Sequence, residues 1–257
     1  MLLAGLAGTA ACSGDEGERA PAVDADGPPR VRVEVVTRHA AQFDGGELES
    51  RPAGSQQELS AATYILGHLQ QAGYGARLEA VPVENLVNST DVLAVPPSGG
   101  APATVVAVAY DTVAGSRGFG ANIGLFLELA RALKVAEPRH DVLFAALGAE
   151  NTSLRGGGLG SQRLIGLLAE EGGEPLVLTI EDVGGGPAVC IDGSERIAGP
   201  PGCRPPPGGD PFAEAGLRYL LASGRPEPLG RALLDLLQES GLRARASALP
   251  PKDKPRA

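Results

Sequence analysis

The segment between Thr104 and Asn151 constrains the fold more than any other part of the chain, because its sequence predicts a buried strand, a helix and a second buried strand. Residues 104–109 form an almost continuous apolar, β-branched run, which is typical of a strand covered on both faces. Residues 122–135 are apolar nearly all round and predict a well-covered helix. Residues 141–147 predict a second buried strand. This alternation predicts an α/β fold, with a parallel or mixed central sheet and helices on both faces.

Other segments predict further elements of the same kind. Ser55 and Glu58 form the Ser-x-x-Glu pattern of a capping box, so a helix is predicted from Ser55 to the glycine at position 73. Strands are predicted over residues 30–37, 76–83, 91–95, 175–180, 188–191 and 242–247. Helices are predicted over residues 159–171, 212–222 and 228–240.

The composition suits one α/β domain preceded by a short leader. The chain has 257 residues, of which 43% are hydrophobic, and this is enough for a substantial core. The formal net charge is −9, and the Lys and Arg residues form no dense patch. Nucleic acid is therefore not expected as a partner.

A short apolar stretch opens the chain and ends in small residues before Cys12. It resembles a bacterial lipoprotein signal, in which the cysteine becomes the lipidated first residue. The resemblance predicts a signal segment over residues 1–12, a flexible linker over 13–29 and an extracytoplasmic domain over 30–257, anchored to the membrane of the cell envelope through Cys12. No positive residue precedes the stretch, so a degraded signal without a lipid is the alternative.

The remaining cysteines and the histidines give weaker signals. Cys190 and Cys203 either form a disulfide, which an extracytoplasmic location permits, or remain two free thiols. The three histidines, His39, His68 and His140, are expected on the surface or on helix faces, away from the strand ends where ligands gather.

Several short motifs recur here in the order and spacing of one family. They are residues 51–55 before the first helix, the Ala-Tyr-Asp that ends the first buried strand, residues 127–131, residues 149–151 and residues 159–161. From about residue 51 to the C-terminus, the chain resembles the zinc-dependent exopeptidases typified by bacterial leucyl aminopeptidases, a family that includes glutaminyl-cyclase-like members. The resemblance implies their α/β fold and two zinc ions. It also implies a domain shortened at its C-terminus, without the last strand and helix.

The resemblance assigns roles to residues at the ends of the two buried strands. The first strand of family members ends in a zinc-binding His and an Asp that orients it, where this chain has Ala109 and Asp111. The bridging Asp of the next loop corresponds to Ala121. At the end of the second strand, Glu150 keeps the general-base position and Asn151 replaces a carboxylate ligand.

The later ligand positions depart from the family in the same way. A family Asp corresponds to Glu181, or less well to Asp182, and the final His falls near Lys254. A second placement of that His, near residues 208–212, also lacks it. Zinc requires several His, carboxylate or thiolate donors. The resemblance therefore implies that no intact dizinc site remains and that no cofactor is bound.

These substitutions favour a catalytically inactive homologue of the metallopeptidases, which binds a peptide end or nothing. Two alternatives stay open: an active metal-dependent peptidase that uses Asp111, Glu150, Glu181 and Asp182 around Mg²⁺ or Ca²⁺, and a non-enzymatic interaction protein of the envelope. Asp111 and Glu150 also have a purely structural interpretation, in which they accept hydrogen bonds from loop amides at buried strand ends.

Overall fold

The computed structural model describes residues 29–84, 87–95, 100–116, 118–136, 141–152, 154–194, 203 and 210–238. Within these residues the chain contains seven strands and six α-helices. The strands are β1 (Gly75–Glu84), β2 (Val87–Val95), β3 (Thr104–Ala109), β4 (Val142–Leu147), β5 (Leu176–Val183), β6 (Val189–Gly193) and β7 (Arg218–Gly224). The helices are α1 (Val33–Asp44), α2 (Gln56–Gln71), α3 (Gly120–Ala136), α4 (Leu159–Glu170), α5 (Pro211–Glu214) and α6 (Pro226–Gln238).

All seven strands belong to one mixed sheet with the order β1-β2-β4-β3-β5-β7-β6. Its centre is parallel, since β3 pairs in parallel with β4 and β5, and β5 pairs in parallel with β7. The outer strands β1, β2 and β6 run antiparallel to their neighbours. The carboxyl ends of β3, β4 and β5 therefore meet at one edge, where open α/β sheets place their ligand sites.

Helices cover both faces of the sheet, as the sequence predicted. On β3, Val106 and Val108 contribute to a core shared with α1, α2, α3 and α6. Val105 and Ala107 point the other way, into a core that includes Leu164 of α4 and Phe212 of α5. Two-sided burial explains why β3 and β4 are continuous apolar runs instead of alternating ones.

Two predicted elements were wrong. Residues 30–37 are not a strand, because α1 begins at Val33 and buries Val35, Val36, His39 and Phe43, a helical spacing. Residues 212–222 are not one helix, because α5 ends at Glu214 and residues 218–224 form β7 beside β5. Between them, Gly216 takes a φ of +79°, which ends the helix.

The capping box is only half formed. The Ser55 hydroxyl accepts from the Glu58 amide at 3.1 Å, as predicted. The Glu58 carboxyl does not return to the Ser55 amide; it turns inward, where it accepts from the Gly54 amide and from the Ser89 hydroxyl of β2. Glu58 is consequently only 2% exposed.

His39 lies on a face of α1, as the sequence predicted in one of its two alternatives, but it is buried there and not on the surface. Its Nδ1 lies 2.8 Å from the Tyr64 hydroxyl, and its ring meets the His68 ring edge-on. Burial, with the neighbouring His68, lowers the pKa of His39 to about 3, so the imidazole is neutral. His140 and the predicted strand over 242–247 lie outside the described residues. None of the helices in the described part of the chain is both long and apolar enough to cross a membrane.

Arg51 connects the elements that surround the carboxyl edge of the sheet. Its side chain is fully buried, and its guanidinium lies 5.1 Å from the ring centre of Phe43. The guanidinium donates hydrogen bonds to five backbone carbonyls, those of Phe43, Leu48, Glu49, Tyr110 and Gly118. Arg51 thereby joins the end of α1, the segment after β3 and the loop before α3.

We expect the substitution Arg51→Met to lower the free energy of unfolding by about 3–5 kcal/mol, because it leaves several buried carbonyls without donors. Urea denaturation followed by circular dichroism measures this loss. Arg77→Met, at a half-exposed arginine of β1, is the matched control and is expected to change stability by less than about 0.5 kcal/mol. A loss below about 1 kcal/mol for Arg51→Met would contradict this role.

Candidate functional site

A cavity of about 840 Å³ opens at the carboxyl ends of β3, β4 and β5. Its wall is completed by the first turn of α3 and by α5. Five residues that the sequence assigned to the site line this cavity together: Ala109, Ala121, Glu150, Asn151 and Glu181. Asp182, the second choice for a ligand position, also lines it. Lys254 and residues 208–209 lie outside the described residues.

The positions of Ala109 and Ala121 bring only methyl groups to the cavity. Ala109 ends β3, and Ala121 lies in the first turn of α3. Their neighbours Phe119, Ile180 and Leu221 extend an apolar wall. This side of the cavity therefore offers surface for an apolar group and no side-chain donor for a metal.

Asp111 lies beneath the cavity and is completely buried. Its carboxylate accepts from the Glu150 amide at 3.0 Å and from the Asn151 amide at 3.0 Å. The Asn151 side-chain nitrogen donates to the Asp111 carbonyl at 3.0 Å and to its carboxylate at 3.2 Å. Both carboxylate oxygens of Asp111 are thus used inside the protein, and the Asn151 amide group is turned towards them.

Glu150 occupies the position that the resemblance assigns to the general base. Its carboxyl group is held by Ser161 in the first turn of α4. The Ser161 amide donates to Oε1 at 2.6 Å, and the Ser161 hydroxyl donates to Oε2 at 2.8 Å. Burial raises the pKa of Glu150 to about 7, although these two hydrogen bonds oppose the rise. Glu150 therefore holds its proton more tightly than an ordinary glutamate.

Four other carboxyl groups line the cavity, those of Asp44, Glu181, Asp182 and Asp210. Burial raises the pKa of Glu181, and Asp210 and Asp182 add to the rise. Burial also raises the pKa of Asp210, against hydrogen bonds from the first amides of α5. No Lys or Arg of the described residues lines the cavity.

Strained backbone surrounds the same cavity. Phe119 and Asp182 line it with φ angles of +66° and +46°, and Ala149, which precedes Glu150, has a φ of +52°. Such conformations are uncommon for residues with a β-carbon, and they concentrate at ligand sites. Asn122 connects the segments that carry Phe119 and Asp182, because its side-chain oxygen accepts a hydrogen bond from the Val183 amide at 2.9 Å.

Sequence reasoning missed Ser161 as a partner of Glu150, and it missed Asp44 altogether. It placed residues 208–212 near the last ligand position but gave Asp210 no role of its own. Asp44 accepts from the Gly120 amide at 3.0 Å, at the start of α3. Asp210 occupies the N-cap of α5. An Asp just before a Pro at the first helical position is a recognisable capping signal, and it could have located Asp210.

Cys190 and Cys203 are joined by a disulfide, with 5.9 Å between their α-carbons. Cys190 lies in β6 at the edge of the sheet. Cys203 precedes Asp210 by a few residues in the chain. The bond therefore fastens Cys203 to the edge of the sheet.

The residues present do not fit a pair of zinc ions. Ala109 and Ala121 carry no donor atom, and Asn151, whose side-chain nitrogen donates to Asp111, offers a neutral amide oxygen in place of a carboxylate. Among the described residues, no three His, Cys, Asp or Glu side chains form a group that could hold a metal ion. What remains is an acidic cavity with an apolar wall.

We expect Ser161→Ala to move the pKa of Glu150 further upward, because the variant removes a hydrogen bond that favours the ionised carboxyl. A ¹³C NMR titration of the Glu150 side chain measures the change. Ser60→Ala, at an exposed serine of α2, serves as the control and is expected to leave the titration unchanged. A Glu150 titration that is identical in Ser161→Ala and in the wild type would contradict the assigned contact.

No family model and no curated protein matches the sequence. Solved structures do match. One is a leucine aminopeptidase precursor from Bacteroides thetaiotaomicron, with a TM-score of 0.66 and 12% identity, covering 83% of this chain and 99% of that chain. Another is a glutaminyl cyclase from Fimbriiglobus ruber, with a TM-score of 0.65 and 14% identity, covering 81% of this chain and 95% of that one.

A third similar structure is the LapA aminopeptidase of Legionella pneumophila, with a TM-score of 0.58 and 13% identity, covering 81% of this chain and 73% of that one. At these identities the likeness concerns the fold. The chain therefore has the fold shared by zinc-dependent exopeptidases and glutaminyl cyclases, as the sequence resemblance predicted.

Proposed function

We propose that this chain is a non-hydrolytic, aminopeptidase-like extracytoplasmic lipoprotein whose cavity binds the amino-terminal end of a peptide without a metal ion. One observation carries the proposal. The positions at which the resemblance places zinc ligands meet around one cavity, and three of them hold groups that do not bind zinc there: Ala109, Ala121 and Asn151.

The loss of hydrolysis follows from the chemistry of peptide bonds. A metallopeptidase needs a Lewis acid to polarise the carbonyl and to lower the pKa of the attacking water. Glu150 alone supplies a base of suitable pKa, but it supplies no electrophile. The cavity thus keeps the shape of an active site and lacks the group that makes its reaction feasible.

The binding of an amino terminus follows from charge and shape. Glu150, Glu181, Asp182 and Asp210 face one cavity with no described cation among them. An ammonium group would relieve their mutual repulsion and pair with carboxylates in a partly desolvated site. The wall formed with Phe119 offers apolar surface for the first side chain of the peptide.

The extracytoplasmic location is supported by two features of the chain. A disulfide between Cys190 and Cys203 is typical of proteins outside the reducing cytoplasm. The small residues before Cys12 suit lipid attachment at that cysteine. The membrane is then the first partner of the protein, and the peptide is its ligand.

Calorimetric titration with leucyl-glycine amide and with its N-acetylated form tests the proposal. The free amine is expected to bind, and the acetylated form to bind at least about tenfold more weakly, because it lacks the charge that the carboxylates pair with. Glu181→Gln is expected to weaken binding of the free amine by about tenfold or more, since a charged hydrogen bond contributes about 1.5–3 kcal/mol.

The matched control for Glu181→Gln is Glu227→Gln, which changes an exposed carboxylate of α6 and leaves binding unchanged. Equal binding of the two peptide forms would contradict recognition of the amino terminus. Release of leucine that stops in a chelator would instead establish the alternative, a metal-dependent peptidase that uses the cavity carboxylates.

A further inference from the structure

The turn over residues 148–151, which joins β4 to Glu150 and Asn151, is held by carboxyl groups from three other elements. The Gly148 amide donates to Asp91 of β2 at 2.9 Å. The Ala149 amide hydrogen-bonds to Glu58 of α2. The next two amides donate to Asp111, as described above. Successive backbone amides of this kind form an anion-binding concavity, and here the chain fills it with its own side chains.

Glycines make room for this arrangement. A β-carbon on Gly148 would lie 2.6 Å from the Thr90 carbonyl and 2.9 Å from the Glu58 carboxyl. A β-carbon on Gly160 would lie 2.6 Å from the Asp91 carboxyl and 3.1 Å from the Glu150 carboxyl. The backbone and the carboxyl groups are therefore packed too closely for any side chain at either position.

Neither Glu58 nor Asp91 has a cation to balance it in the described part of the chain. Glu58 is 2% exposed and Asp91 is fully buried, and no described Lys, Arg or His forms an ion pair with either. The second carboxyl oxygen of Asp91 is buried without a hydrogen-bond partner. Burial of that oxygen without a partner disfavours the ionised form of Asp91.

The neighbouring carboxyls act in the same direction, whereas Arg163 and the hydrogen bonds from backbone amides oppose them. Burial raises the pKa of Glu58 to about 7, and it raises the pKa of Asp91 well above the ordinary value. The titratable groups that face the two carboxyls are Glu79 of β1, Tyr110 and Asp111 after β3, and Glu150 in the turn itself. Arg163 of α4 is directed to Glu79, with which it forms an ion pair.

We propose that Glu58 and Asp91 are positioning residues of the cavity: as neutral carboxyls they hold the 148–151 turn, and through it they fix the orientation of Glu150. Loss of their protons as pH rises places several buried negative charges against one another and loosens the turn. The inference rests on the proposed function only in giving Glu150 a role towards a ligand. The hydrogen bonds that Glu58 and Asp91 make with the turn do not depend on any ligand.

The direction of the pH effect follows from the raised pKa of Glu58. A carboxyl whose folded-state pKa, about 7, exceeds its ordinary value of 4.5 favours folding most strongly below that ordinary value. Its contribution is lost progressively as pH rises through about 7. Glu58→Gln keeps the shape of the side chain and stays neutral, so it removes this part of the pH dependence.

The test is an NMR titration of the backbone amides of residues 148–151 in the full chain, between about pH 3.5 and pH 9, without peptide. In the wild type, the Ala149 amide, which contacts Glu58, is expected to titrate with a midpoint near 7. In Glu58→Gln, the Ala149 amide loses that midpoint. Glu34→Gln, at an exposed carboxylate of α1, leaves the titration unchanged.

A second variant tests the same proposal if Glu58→Gln does not fold. Ser89→Ala keeps the carboxyl and removes a hydrogen bond that favours its ionised form, so the midpoint of the Ala149 amide is expected to move to higher pH. Amides that titrate in the ordinary carboxyl range in the wild type, or a folded Glu58→Gln with the wild-type profile, would overturn the proposal. Peptide binding that fails while the amides titrate near pH 7 would contradict the proposed function alone.

Discussion

The hydrogen bonds between Asp111 and Asn151 decide what the cavity is able to do. In the family that the sequence resembles, these two positions orient and bind a metal. Here the backbone N–H and the side-chain nitrogen of Asn151 both donate hydrogen bonds to the Asp111 carboxylate. The contact satisfies a buried carboxylate by internal donors, which stabilises the turn that carries Glu150. The same contact uses both carboxylate oxygens of Asp111 and the side-chain nitrogen of Asn151 inside the protein.

The sheet preserves the cavity although its chemistry has changed. Parallel pairing of β3 with β4 and β5 brings three strand ends to one edge whatever side chains follow them. Arg51 secures the rim through backbone carbonyls and therefore does not depend on the ligand residues. Burial raises the pKa of both Glu58 and Glu150 to about 7, and neighbouring carboxyls add to the rise.

The sequence predicted the centre of the fold well, because strands buried on both faces and the apolar helix α3 leave unmistakable runs. It failed for α1, where an alternating pattern of Val and charged residues coincided with a helical one. It also failed for β7, whose assignment depends on pairing with β5. Motif spacing located Ala109 and Glu150 at one cavity. The sequence could not predict the roles of Arg51, Glu58, Asp91 and Ser161. Whether a polar residue is buried depends on its contacts with elements that are distant in the sequence.

We propose that the cavity of this exopeptidase-like fold does not hold zinc. The decisive measurement is metal analysis of the purified full chain, after equilibration with zinc and removal of the free ion. Because zinc affinity depends on the number and type of donors, we predict far less than one zinc per chain, and the same content in Glu150→Gln as in the wild type. One or two zinc ions retained per chain, and lost in that variant, would contradict the account.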